Sequence, residues 1–281
     1  MPFDIRLKNM QTPSRLFALC RLVQYKSFLR DELRDLLQPP GLRKDKSSYE
    51  QFNEVLRLAR IGGLVTEDED DKVMLQMGDE ELARPSDFRK AIVRRIISQP
   101  DHIFCRFTAW YLLRGVSVYT ENAKTLMQEF DRELNQAKSQ NVYNENNITA
   151  WRTWAAFLGY GFTHNQILVP NTSVRLTDAL EENNRLVKDE ILPIRQFVEW
   201  MSVHCPELDY GQISMQSKGS AQWPKQHFST GISAGLRSLH DMKKIELLYS
   251  NDATDIWYLT TVDAHEIKDR VSAVVVRGWP A

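Results

Sequence analysis

The chain has 281 residues, 42% hydrophobic and 26% charged, a composition that excludes wholesale disorder. Its 36 basic and 37 acidic side chains leave a formal net charge of −1, which argues against a uniformly basic nucleic-acid coat. No apolar run approaches the roughly 20 residues of a membrane span, and the three widely spaced cysteines (Cys20, Cys105, Cys205) form neither a disulfide framework nor a zinc site.

The first ten residues lack the apolar core of a signal peptide, so the expectation is a soluble cytoplasmic protein with buried thiols and no membrane partner. Leu16–Tyr25 and Leu29–Leu37 read as helices, the second ended by Pro39-Pro40-Gly41, which cannot continue it. Ser47-Ser48-Tyr49-Glu50 reads as a capping box that starts a third. There Phe52, Val55, Leu56 and Ala59 fall at i, i+3, i+4 and i+7, the apolar stripe of a short helix. Gly62-Gly63 breaks it, and Leu64-Val65 and Val73-Met74-Leu75 flank an acidic tip as a hairpin.

Arg84-Pro85-Ser86 separates this unit from a helix over Asp87–Gln99, and Ile103–Arg114 and Ala123–Lys138 follow as helices. Trp151, Trp154, Ala155 and Leu158 then repeat the stripe. Behind it, Gly159-Tyr160-Gly161-Phe162 leads into strands at Thr163–Asn165 and Ile167–Val169, closed by Pro170-Asn171-Thr172. Arg175–Lys188 reads as a polar connecting helix, Ile191–His204 as a helix and Tyr210–Ser214 as a shorter one. Ile232, Gly235, Leu236 and Leu239 give the stripe a third time, with glycine where a close helix crossing wants one. Lys243-Lys244 leads into a hairpin of Ile245–Tyr249 and Ile256–Leu259 around Ser250–Asp255, to which Val271–Val276 adds a terminal strand.

Three helices followed by a two-stranded hairpin is the winged-helix layout. The fold predicted is mainly α with small β-hairpins, as three tandem winged-helix-like units. Their bounds are residues 1–84, 85–171 and 172–281, the last including the connecting helix.

Charge is unevenly placed. Residues 1–60 carry 12 basic and 7 acidic side chains, whereas 61–87 carry 2 and 9, many of the acids in the run Glu67–Asp71 at the first hairpin tip. Adjacent carboxylates repel phosphate, so that tip faces solvent or a protein. Arg43, Lys44 and Lys46 precede the first striped helix, and Asn53 and Arg57 lie on its outward face beside Glu50 and Glu54. This pattern fits a diluted DNA contact or an ordinary solvated helix equally. In the third unit, Ser217–Lys244 holds Lys218, Lys225, Arg237, Lys243 and Lys244 against the single acid Asp241. Thr230, Ser233 and Arg237 are expected to project opposite the stripe, as a recognition helix does toward a groove, with Gln226, His227, Ser229 and Trp223 nearby. An acidic protein partner is the competing explanation of that surface. The second unit offers only Thr149 and Arg152 outward and, with Trp110, Trp151 and Trp154, reads as the structural centre.

No catalytic constellation emerges. Gly159-Tyr160-Gly161 lacks the third glycine and preceding strand of a phosphate loop, Asp263, His265 and Glu266 lack a further ligand at helical spacing, and Cys20 sits in an apolar stretch. A non-enzyme without cofactor or metal is the expectation.

Several stretches carry a family likeness. Trp151–Phe162 (WRTWAAFLGYGF), Val169-Pro170, Pro206–Gly211 (PELDYG) and Ser229–Leu239 followed by Ser250-Asn251-Asp252-Ala253 resemble the DpdG family. That family is encoded in bacterial clusters that insert 7-deazaguanine derivatives into DNA and restrict unmodified DNA. The resemblance implies a non-enzymatic component of an antiphage modification–restriction system, working beside subunits such as a helicase or nuclease. It transfers no catalytic residue. Two functions follow as expectations: an adaptor whose winged helices hold DNA, or a scaffold whose winged helices hold a partner ATPase, helicase or nuclease. A transcriptional regulator ranks last, because Arg175–Lys188 is too polar for a dimerisation zipper.

Overall fold

In the computed structural model the described residues are 3–4, 8–43, 45, 49–134, 143–183, 188–219 and 224–277. Lys44, Lys46, Ser47, Ser48 and Trp223 lie outside them.

Proline opens the first helix, α1 (Pro13–Tyr25), where its missing N–H costs nothing, and the Thr12 side chain accepts from the Arg15 amide. Strand β1 (Phe28–Leu29) and helix α2 (Arg30–Leu37) follow, so the expected helix from Leu29 begins one residue later. The two residues before it extend because Phe28 pairs with Val73 and Leu29 with Lys72 across a sheet. Helix α3 (Glu50–Ile61) buries Phe52, Val55, Leu56 and Ala59 as its stripe requires. Tyr49 is its N-cap and gives no side-chain cap bond. Strands β2 (Val65–Glu67) and β3 (Lys72–Leu75) form the predicted hairpin, and the sheet order is β1-β3-β2.

Helix α4 (Pro85–Ile97) leads to α5 (Ile103–Leu113), α6 (Ala123–Leu134) and α7 (Glu145–Phe157). Trp110, Trp151 and Trp154 are all buried, and Phe107 meets Trp151 edge-on at 4.8 Å. The indoles find partners, as buried N–H groups must: Trp151 Nε1 donates to Thr108 Oγ1 and Trp154 Nε1 to the Gln11 carbonyl. Strands β4 (Gly161–His164) and β5 (Ile167–Pro170) close this segment as a two-stranded ladder.

Helix α8 (Ser173–Glu182) is shorter than the expected connecting helix and is no mere spacer. Arg175, Leu176, Asp178, Ala179 and Leu180 are buried. Next come β6 (Ile191–Pro193), α9 (Ile194–His204), α10 (Gln212–Gln216) and α11 (Thr230–Asp241). Ile191–Pro193 was expected to be helical. Proline disfavours helical backbone at the residue before it, and Ile191–Pro193 instead pairs with a strand. That strand is β10 (Ala273–Val276), which lies between β6 and β7 (Ile245–Leu248).

The hairpin partner of β7 is therefore β10 and not Ile256–Leu259. Three buried valines of β10 supply an apolar surface that the two-residue β8 (Trp257–Tyr258) cannot. β8 pairs instead with β9 (Arg270–Val271), inside a 24-residue connection between β7 and β10. The order β6-β10-β7 repeats β1-β3-β2, whereas among its described residues the middle segment has the two strands β4 and β5. The architecture is mainly α with small antiparallel strand pairs, and it does not amount to three equivalent winged-helix units.

Two glycines let the elements close. Gly159 has φ +86°, and a Cβ there would lie 2.7 Å from the Arg175 amide nitrogen. At Gly235 a Cβ would lie 2.5 Å from Thr172 Oγ1, so α11 crosses the start of α8 only with glycine.

Candidate nucleic-acid interface

The sequence-derived residues fall in three places. Around α3, Asn53 is exposed and accepts a hydrogen bond from Arg30 Nη2 at 3.2 Å. Arg57 pairs with Glu54 at 3.2 Å and also with Asp4. Arg43 is largely covered, 2.7 Å from Asp35 and stacked over the Tyr49 ring. Lys8 and Arg60 pair with Glu54 and Glu67 at 2.6 and 2.5 Å. The face is self-neutralised: Lys8, Arg30, Arg34, Arg43, Arg57 and Arg60 meet Asp4, Asp31, Asp35, Glu50, Glu54 and Glu67. The acidic tip is partly structural, because Asp68 Oδ1 accepts from the Asp70 and Lys72 amides.

At α11 the expected outward face is covered. Ser233 is 1% exposed and Arg237 6%. The β7–β10 connection folds over them: Ser233 Oγ accepts from the Thr260 amide at 2.9 Å, and Arg237 donates to the Ile267 and Lys268 carbonyls. Burial lowers the Arg237 pKa from its ordinary value. The same connection is tied at its far side by His240–Glu266 at 2.6 Å and His265–Asp241 at 3.1 Å, which accounts for His265 and Glu266 without a metal. Among the described residues no group of three or more His, Cys, Asp or Glu is arranged to hold a metal ion. The expected projection of Ser233 and Arg237 into a groove is thus corrected, while Thr230 is only partly buried. Alternating contacts on every side replace the one-sided helix that the stripe suggested.

Covering the middle of α11 splits the remaining residues between its ends. Lys243 is exposed and Lys244 partly buried beyond its C-terminus, Lys244 reaching Thr177. Lys225, Gln226 and His227 precede its N-terminus, and the 12 residues between span about 18 Å at 1.5 Å each. The N-terminal group joins residues that sequence reasoning passed over. His227 stacks on Tyr258 with ring centroids 4.8 Å apart. Tyr258 faces Arg270 across β8–β9, and Arg270 reaches Tyr249, donating to its hydroxyl at 3.3 Å. The outcome is a strip of three rings and one guanidinium, His227–Tyr258–Arg270–Tyr249, with Lys225 exposed beside it. No periodicity joins residues 227, 249, 258 and 270; only the fold-back of the connection does.

The strip rests on a rigid floor. Trp257 packs on Tyr210 and Phe228, and Tyr210 donates to the His227 carbonyl at 2.6 Å while accepting from the His227 amide at 3.0 Å. Asp209 accepts from the Ser229 amide at 2.5 Å, holding the start of α11; its full burial pushes the carboxyl up to about 6. Two residues earlier, Glu207 is buried with Arg175 at 2.7 Å and accepts from the Tyr160 hydroxyl at 3.1 Å. The motif at Pro206–Gly211 therefore joins α8, the segment after α7 and the start of α11. The thiols stay buried, and desolvation pushes Cys20 and Cys205 each up to about 12, well above the range of a nucleophile at neutral pH.

These features define a mainly α protein in which short antiparallel sheets brace helix clusters. A DpdG-like family model matches residues 7–253, and the chain belongs to that family. No curated protein and no solved structure matches it. No helix among the described residues is long and apolar enough to cross a membrane.

Proposed function

We propose that this chain is a non-enzymatic DNA-binding adaptor of a bacterial modification–restriction system, acting beside other subunits such as a helicase or nuclease. The setting comes from the family; the DNA contact is carried by the strip His227–Tyr258–Arg270–Tyr249 with Lys225. Rings that are exposed at Tyr249 and half-buried at His227 and Tyr258, beside the exposed cations Arg270 and Lys225, suit unstacked bases and the backbone that joins them, and stacking tolerates any sequence. The strand order of the first and third sheets supports reading those two segments as winged helices, with the β7–β10 connection as an elaborated wing.

The test is fluorescence anisotropy with single-stranded and duplex DNA at two salt concentrations, comparing wild type with the triple variant Lys225→Ala, Tyr258→Ala, Arg270→Ala. On this reading, affinity falls for all sequences. The salt slope on single strands drops by about 0.7 for each lost phosphate contact. A scaffold reading is favoured for the first segment by its self-neutralised α3 face. If wild type binds neither DNA form, the adaptor-to-DNA reading fails, and co-purification with the cluster's other subunits becomes the deciding measurement.

A further inference from the structure

A cleft of about 500 Å³, sharing no lining residue with this strip, lies where the starts of α6 and α7 meet the β4–β5 tip. Its volume is within the range of small-molecule sites. Arg152 of α7, expected from the sequence to point outward, is 8% exposed and lines the cleft. Its Nε has no hydrogen-bond partner, and among the described residues the side chain makes no ion pair. A buried guanidinium N–H without an acceptor is costly, and burial lowers the Arg152 pKa from the ordinary value.

Other features of the cleft suit an anion. Asn122 caps α6 by accepting from the Thr125 amide, and Glu145 and Asn146 form the first turn of α7. First-turn amides have no acceptor within their own helix, and both helix dipoles place their positive ends here. Of the two lining carboxylates, Glu121 is held by Arg114, 3.0 Å from its Nε, while Glu145 is exposed. Around this anion-seeking centre stand the side-chain amides of Asn122, Asn146, Asn165 and Gln166 and the half-exposed ring of Tyr119. Asn165 and Gln166 hold the tip with φ of 45° and 61°. Amides that both donate and accept, beside a ring, match the edge and face of a nucleobase.

We propose that this cleft binds a nucleotide, its phosphate against Arg152 and the helix starts and its base among the amides and Tyr119. The phosphate belongs either to a free mononucleotide or to the 5′ end of a strand. Calorimetric titration of the full chain with each of dAMP, dGMP, dCMP and TMP, and with short strands carrying or lacking a 5′-phosphate, separates the two sources.

Arg152→Met keeps volume and removes charge. It should weaken binding by roughly tenfold or more, the worth of a charge-assisted hydrogen bond, while the thermal midpoint holds or rises. Asn146→Ala with Gln166→Ala, both exposed and dispensable to the core, should weaken mononucleotides but leave inorganic phosphate unchanged. The proposal is overturned if no mononucleotide binds and 5′-phosphorylation makes no difference. It is equally overturned if Arg152→Met binds as wild type does, or if Arg152→Met unfolds the chain and the amide pair leaves nucleotide affinity intact. The strip variant at Lys225, Tyr258 and Arg270 should leave mononucleotide binding unchanged, so this site and the DNA strip stand or fall separately.

Discussion

Replacing Asp209 by asparagine should change the pH dependence of stability in a predictable direction. The Asp209 carboxyl is fully buried and holds its proton up to about pH 6, against an ordinary value of 3.8. Between those values the folded chain binds more proton than the unfolded chain, so wild-type stability falls as pH rises through the window. A shift of about two units corresponds to about 3 kcal/mol. Asparagine keeps an acceptor for the Ser229 amide and does not titrate. Other acids titrate in the same window, but they are common to both proteins and cancel in the difference. The variant should therefore gain on wild type by about 3 kcal/mol between pH 4 and pH 7, near 6 °C in midpoint at about 2 °C per kcal/mol. Urea and thermal unfolding at constant ionic strength, followed by tryptophan fluorescence, measure it. A flat difference across the window, or wild type gaining on the variant as pH rises, would refute the reasoning.

Arg175→Met leaves Glu207 buried without its cation and should cost about 3–5 kcal/mol in chemical denaturation, with Glu207→Leu in the same chain restoring most of it. Gly235→Ala should lose about 1–3 kcal/mol although alanine favours helix, because its methyl meets Thr172 Oγ1 and the Ser173 amide; a stabilised variant would mean that α8 and α11 can separate.

Local signals carried far in this chain. All three apolar stripes are buried, and the glycine break and turn residues set the hairpins after α3 and α7 within a few positions. What failed was non-local. Nothing near Ile245–Leu248 says that its partner lies 25 residues beyond its end rather than nine, because both Trp257–Tyr258 and Ala273–Val276 read as strands. That one choice decided the site. With the nearer partner, α11 would present Ser233 and Arg237 to a groove; with the farther one, the intervening chain lies across them. Charge reading met the same limit. Lys225 and His227 were visible as a polar approach to α11, but Tyr249, Tyr258 and Arg270 join them only after the fold-back. Arg152 shows the converse, a residue polar in sequence that tertiary packing buries on both sides of α7.

The position of β10 has a bearing on how this protein comes to be made. It is the middle strand of its sheet, yet it is the last one to leave the ribosome. Until residues 273–276 emerge, β6 and β7 have no neighbour to bond, and the anchors of the β7–β10 connection on Ser233 and Arg237 have nothing to close against. A nascent chain halted before Ala273 thus offers two open strand edges, the pairing surface that invites aggregation. Synthesis of β10 acts as a latch: four amino acids zip β6 and β7, 52 positions apart from Pro193 to Ile245, into a single sheet.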